Sequence, residues 1–155
     1  MNFNNSSISS QQSVDTASIT IQAGDPDHLS VKVQAAGGKA GLSFTTQPAV
    51  EIRDAFGNLA TSATGTVTMS VSGGVSASFS VSPSATITGG YATFSNVALY
   101  GTVANYNLTY RYNPGNGGIN TSQQISLQPG NPFQLAMKNQ LASTSRAGEL
   151  LTTQP

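Results

Sequence analysis

Apolar side chains recur at every second position through most of this sequence. Leu29, Val31 and Val33 alternate with Ser30 and Lys32, and Val50 and Ile52 alternate with Glu51 and Arg53. Val67, Met69 and Val71 alternate with Thr and Ser, as do Val75, Ala77, Phe79 and Val81. Tyr106, Leu108, Tyr110 and Tyr112 alternate with Asn107, Thr109 and Arg111. A period of two places one set of side chains on one face of an extended chain, so each run predicts a strand with a single buried face. Glycine pairs at 73–74 and 89–90 and the segment NPGNGG at 113–118 separate the runs. Asn116-Gly117 is a dipeptide favoured in two-residue hairpin turns. No window of twelve residues carries the 3.6-residue period of an amphipathic helix. About seven short half-buried strands within ~100 residues is the pattern of a two-sheet sandwich, so the predicted class is all-β and immunoglobulin-like.

The chain also repeats itself. Residues 19–29 read ITIQAGDPDHL and residues 125–135 read ISLQPGNPFQL, an offset of 106 that preserves Ile, Gln, Gly, Pro and Leu. AGLSFTTQP at 40–48 recurs as AGELLTTQP at 147–155, an offset of 107, so one inserted residue reconciles the two pairs. A period this long exceeds that of a solenoid repeat and equals an independent domain. The expected organisation is therefore beads on a string. Residues 1–23 supply a tail and the last strand of a preceding module, with Ile19 and Ile21 on it. Residues 24–129 form one complete sandwich, and residues 130–155 begin a following module through Leu135 and Met137.

VEIRDAFGNLATSATGTVTMSV at 50–71, followed by GGYATFSNVALYGTVANYNLTY at 89–110, resembles the bacterial immunoglobulin-like repeats of large surface proteins, including the invasin/intimin-type group. The resemblance rests on Asp54, Ala55, Gly57 and Asn58 at a strand end, on Gly90, Ala92 and Phe94, and on Gly101 ahead of Tyr106. It spans roughly residues 24–155 and implies a tandem array at the cell surface, whose modules serve mostly as spacers. Physical roles follow for the matched residues. Asp54 and Asn58 suit a tight turn hydrogen-bonded to its own backbone, Gly57 permits positive φ, and Tyr106 stands where a tyrosine corner would.

Composition narrows the functional classes. Only 8% of residues are charged, against roughly a quarter in ordinary domains, and net charge is zero. Three Lys and three Arg are scattered along the chain, which gives no basic stripe for nucleic acid. Apolar runs of a few residues cannot span a bilayer. Residues 1–15 lack the basic start and apolar centre of a signal peptide, so export would require a signal that is absent from this sequence. Absence of cysteine removes thiolate chemistry and disulfides, while abundant Ser, Thr, Asn and Gln suit an extracellular or cell-surface chain.

Candidate chemistry is sparse. The single histidine, His28, stands beside a linker without a nearby nucleophile, so no enzyme is expected. An internal isopeptide between Lys32 and Asn107, promoted by Glu51, fails because all three take the outward phase of their strands. Asp25 and Asp27 in the linker, joined by Asp54, are candidates for calcium, which needs six to eight oxygens. The second linker carries Asn131 and Phe133 in place of those two acids, which favours a simple Asp25-Pro26 turn and no metal or cofactor. The expected partners are neighbouring copies or modules of the same protein. Ile19, Ile21, Leu135 and Met137 would act as assembly strands if end segments pair by strand addition or exchange. The rival reading is an adhesin module that binds glycan or host protein through Tyr100, Tyr110, Tyr112 and the 113–118 loop.

Overall fold

The computed structural model describes residues 18–115, 117–136 and 147. The described residues contain nine strands and no helix: β1 (His28–Val33), β2 (Ala49–Arg53), β3 (Thr66–Ser72), β4 (Ala77–Phe79), β5 (Ser84–Thr88), β6 (Tyr91–Thr93), β7 (Leu99–Gly101), β8 (Ala104–Tyr112) and β9 (Ile119–Leu127). Seven of them form an antiparallel sheet in the order β1-β2-β6-β5-β3-β8-β9, and β4 pairs with β7 apart from it.

The long sheet folds over at β5. Ser84–Thr86 pair with β3, whereas Ile87 and Thr88 pair with β6. One strand thus belongs to both layers, β1-β2-β6 on one side and β3-β8-β9 on the other. Period-two patterning explains why they close on each other. Val67 and Met69 of β3, Tyr106, Leu108, Tyr110 and Tyr112 of β8, and Ile125 and Leu127 of β9 are buried and meet Leu29, Val50, Ile52, Ala92 and Phe94 in one core. Phe94 and Tyr110 join the layers with ring centroids 5.6 Å apart at 52°, a tilted arrangement that adds to simple area burial.

Two alternations end sooner than expected. In β1 the pairing register with β2 slips between Val31 and Val33. This bulge turns Val33 outward, 38% exposed, and Ala35 takes the inward place. The run from Val75 to Val81 yields only the three residues of β4, and Val75 and Val81 are exposed. Among the described residues β4 has a single partner strand of equal length, and no other strand extends that ladder.

The two copies of the repeated segment, residues 22–26 and 128–132, lie at opposite poles of the sandwich. The backbone amide of Asp27 donates to the Arg53 carbonyl at 2.8 Å, and Asp25 and Pro26 lie beside Tyr112 and Pro114. That pole therefore holds the end of β2 and the β8–β9 hairpin. At the other pole Leu127 pairs with Ala104 at the start of β8, and Gln128 forms a bridge with Lys39.

Candidate functional site

The most organised polar cluster lies at the first pole, around Asp54, where β2 ends. The Asp54 side chain is 2% exposed. Its Oδ1 accepts the backbone amides of Phe56 (2.9 Å) and Asn58 (2.8 Å). Its Oδ2 accepts the Asn58 side-chain amide (3.0 Å) and the backbone amide of Gly24 (2.9 Å). The backbone closes the same turn, with the Asp54 amide donating to the Asn58 carbonyl and Gly57 donating back to Asp54. Gly57 sits at φ +84°, a region that costs side-chain-bearing residues about 1 kcal/mol or more. Arg53 braces the turn by donating to the Gly57 carbonyl and to Glu51 Oε1 at 2.8 Å.

Four N–H donors on one carboxylate favour its charged form. The Gly24 amide contributes most; burial opposes it, and the Asn58 side chain and the Asn58 and Phe56 amides assist. Together they lower the Asp54 pKa to about 2. Three donors belong to the turn itself. The fourth comes from thirty residues upstream, so the turn also holds the segment that leads into β1.

The other candidates occupy separate places. Asp25 and Asp27 are exposed, and Asp27 Oδ2 lies 3.3 Å from His28 Nδ1. Both oxygens of Asp54 are committed to N–H donors, the opposite polarity to a cation. No group of three or more His, Asp or Glu converges as for a metal ion among the described residues. Lys32 lies with Nζ 3.6 Å from the Tyr91 ring centroid, while Asn107 is exposed on β8 in the other layer. These two face away from each other across the core.

Of the tyrosines proposed as a binding surface, only Tyr100 is exposed, at 46%. Tyr110 and Tyr112 are a correction: both rings take the inward phase of β8 and are buried. Tyr112 donates its hydroxyl to the Thr64 carbonyl at 2.9 Å. Tyr106 is buried as well, and its hydroxyl lies 2.9 Å from both the Thr102 and Ser76 carbonyls. Among the assembly residues, Ile19, Ile21 and Leu135 are exposed and outside any strand, and Met137 lies outside the described residues.

Two glutamines were invisible as structural residues in the sequence. Gln47 donates to the Phe44 carbonyl at 3.0 Å and accepts the Val97 amide at 2.9 Å, so the TTQP phrase ties two loops together. Gln123, buried on β9, accepts the Ala35 amide at 3.2 Å. Recurrence of TTQP was the available signal for Gln47; Gln123 had none beyond its inward phase. Compared with protein families, with characterised proteins and with solved structures, the chain matches none.

Proposed function

We propose that residues 24–129 are one immunoglobulin-like module of a non-catalytic tandem array, which builds an extended stalk or fibre of a bacterial surface or extracellular protein. Strand order supports the fold assignment. The layers β1-β2-β6-β5 and β3-β8-β9 follow the ABED and CFG sheets of a constant-type immunoglobulin domain. Tyr106 near the start of β8, with its hydroxyl on a carbonyl four residues upstream, has tyrosine-corner geometry.

The observation that carries the functional reading is the linker, which occurs twice at an offset of 106 residues, once at each pole of a self-contained core. A module whose entry and exit lie at opposite ends adds length with every copy. Low charge, many hydroxyl and amide side chains and no cysteine suit such an array outside the cell. In a filament version, exposed Ile19, Ile21 and Leu135 belong to segments that would add to the sheet edge of a neighbouring subunit.

Chains with residues 24–129 repeated once, twice and four times test the reading by small-angle scattering. The expected maximum dimension rises by a constant increment per copy; a particle that stays compact as copies are added refutes it. For the filament version, deletion of residues 133–155 should abolish fibres seen by electron microscopy, and unchanged fibres would sink it.

A further inference from the structure

The two linkers are copies of one another, and each is gripped on a different side. Gln22-Ala23-Gly24-Asp25-Pro26 aligns with Gln128-Pro129-Gly130-Asn131-Pro132. In the second copy, Gln128 is held by the module it leaves: its amide donates to the Gly38 carbonyl at 2.9 Å and its carbonyl accepts the Ala40 amide at 3.0 Å. Gly130 follows so close to the Ala40 carbonyl that a Cβ there would collide with it. In the first copy, Gly24 is held by the module it enters, through its amide on Asp54 Oδ2 at 2.9 Å.

The halves are complementary. Among the described residues the Gln22 backbone has no partner of the kind Gln128 has, and the Gly130 amide has no acceptor of the kind Gly24 has. Aligned by sequence, the two grips fall on different groups, the Gln backbone in one copy and the Gly amide in the other.

We infer that consecutive modules are joined by a clamped linker, with Gln held by the strand bridge of the preceding module, Gly held by Asp54 of the following one, and the two poles pressed together. This inference rests on the tandem reading above. From Gln to Gly is two residues, at most about 7 Å of extended chain. Exposed apolar side chains at both poles then face each other. Phe56 is 89% exposed on the Asp54 turn, while Leu42, Tyr100 and Val103 are exposed beside the exit of β9. The groove between Gln22–Ala23 and Asn58, Leu59 and Thr61 receives the end of the preceding module. The same geometry explains glycine at both 24 and 130. The Ala40 carbonyl of one module leaves no room for a Cβ, and the Asp54 carboxylate of the next takes the amide.

The experiment uses the full chain with residues 24–129 duplicated in register, which recreates Gln128-Pro129 followed by Gly24-Asp25-Pro26. Because the sequence has no cysteine, Ser70→Cys in both copies gives two spin labels without background. Pulsed electron resonance should return one narrow distance distribution, unchanged by calcium or by a chelator. Asp54→Asn in the second copy keeps an oxygen for the backbone amides of Phe56 and Asn58 and removes the acceptor shared by the Gly24 amide and the Asn58 side chain. It should broaden the distribution about twofold or more, towards that of a flexible linker. A broad distribution in the parent, narrowing only with calcium, or no response to Asp54→Asn overturns the clamp. Two folded modules in an elongated particle would leave the array reading standing in each of those cases; a compact particle would remove both. In the undivided 155-residue chain, the Gly24 amide should exchange at least about tenfold faster with solvent in Asp54→Asn, whereas amides of β8 should not change.

Discussion

Tyr106 and Tyr110 lie on one strand with the same inward phase, and both are buried almost completely. Replacing each with phenylalanine removes one oxygen, yet the expected effects differ in sign. The Tyr106 hydroxyl lies 2.9 Å from the Thr102 and Ser76 carbonyls and 3.1 Å from Thr102 Oγ1. One proton can serve one carbonyl at a time, so the group makes two good hydrogen bonds. At about 1 kcal/mol net each, with the Thr102 carbonyl left short of a donor, Tyr106→Phe should destabilise by about 2–3 kcal/mol. Tyr112→Phe removes a single bond to the Thr64 carbonyl and should cost about 1 kcal/mol. The Tyr110 hydroxyl is buried without a partner among the described residues. Burying an unpaired hydroxyl costs about 1–3 kcal/mol, so Tyr110→Phe should stabilise by about 1 kcal/mol, even after some packing is lost. The assay is urea unfolding followed by tyrosine fluorescence and far-ultraviolet dichroism. With m near about 1.5 kcal/mol/M, the midpoints move down by about 1.5 M for Tyr106→Phe, down by about 0.7 M for Tyr112→Phe and up by about 0.7 M for Tyr110→Phe. If Tyr110→Phe lowers the midpoint as far as Tyr112→Phe does, its hydroxyl has a partner, such as an internal water, and the reasoning fails.

Burial also holds the Tyr110 hydroxyl well above its ordinary value of 10.0. A raised value favours the neutral form in the fold, so its contribution is complete below about pH 10 and is lost as pH rises beyond. Ultraviolet titration should ionise Tyr110 only on alkaline unfolding. Asp54 behaves in the opposite sense. Its folded value near 2 lies below the ordinary 3.8, so its contribution is present above pH 3.8 and falls away as pH drops towards 2. Nuclear magnetic resonance should show the Gly24 amide losing its hydrogen-bonded shift across that window, with no change between pH 7 and pH 5. Gly74 and Gly57 both have positive φ, at +60° and +84°, but a Cβ at Gly74 collides with the Tyr106 ring whereas a Cβ at Gly57 meets nothing within 4 Å. Gly74→Ala should therefore cost about 3 kcal/mol and Gly57→Ala about 1 kcal/mol in urea unfolding, and equal losses would contradict the geometry. Glu51→Gln removes an ion pair on the outer face and should shift stability by less than about 1 kcal/mol, with the shift shrinking in 1 M salt.

Period-two alternation fixed the strands of β2, β3 and β8 in the sequence itself, because a strand's two faces are separated by nothing more than odd and even positions. Glycines at 73–74 and 89–90 marked strand ends for the same local reason: positive φ excludes most other residues. The turn chemistry of Asp54, Gly57 and Asn58 was legible too, since all its bonds but one close within five residues. The recurrence of residues 19–29 at 125–135 was visible without any geometry. Tertiary structure alone decided the remainder. The slip in β1 that exposes Val33 depends on its partner strand, and the brevity of β4 on the length of β7. The Tyr110 and Tyr112 rings follow the inward phase of their strand, but their separation into an unpaired and a paired hydroxyl rests on where Thr64 lies. Above all, the contact between Asp54 and Gly24 spans thirty residues, and no local pattern encodes it. A hydrogen bond to a backbone amide leaves no mark on the identity of the donor residue, so the grip on the segment ahead of β1 became visible only when β1 and β2 were laid side by side.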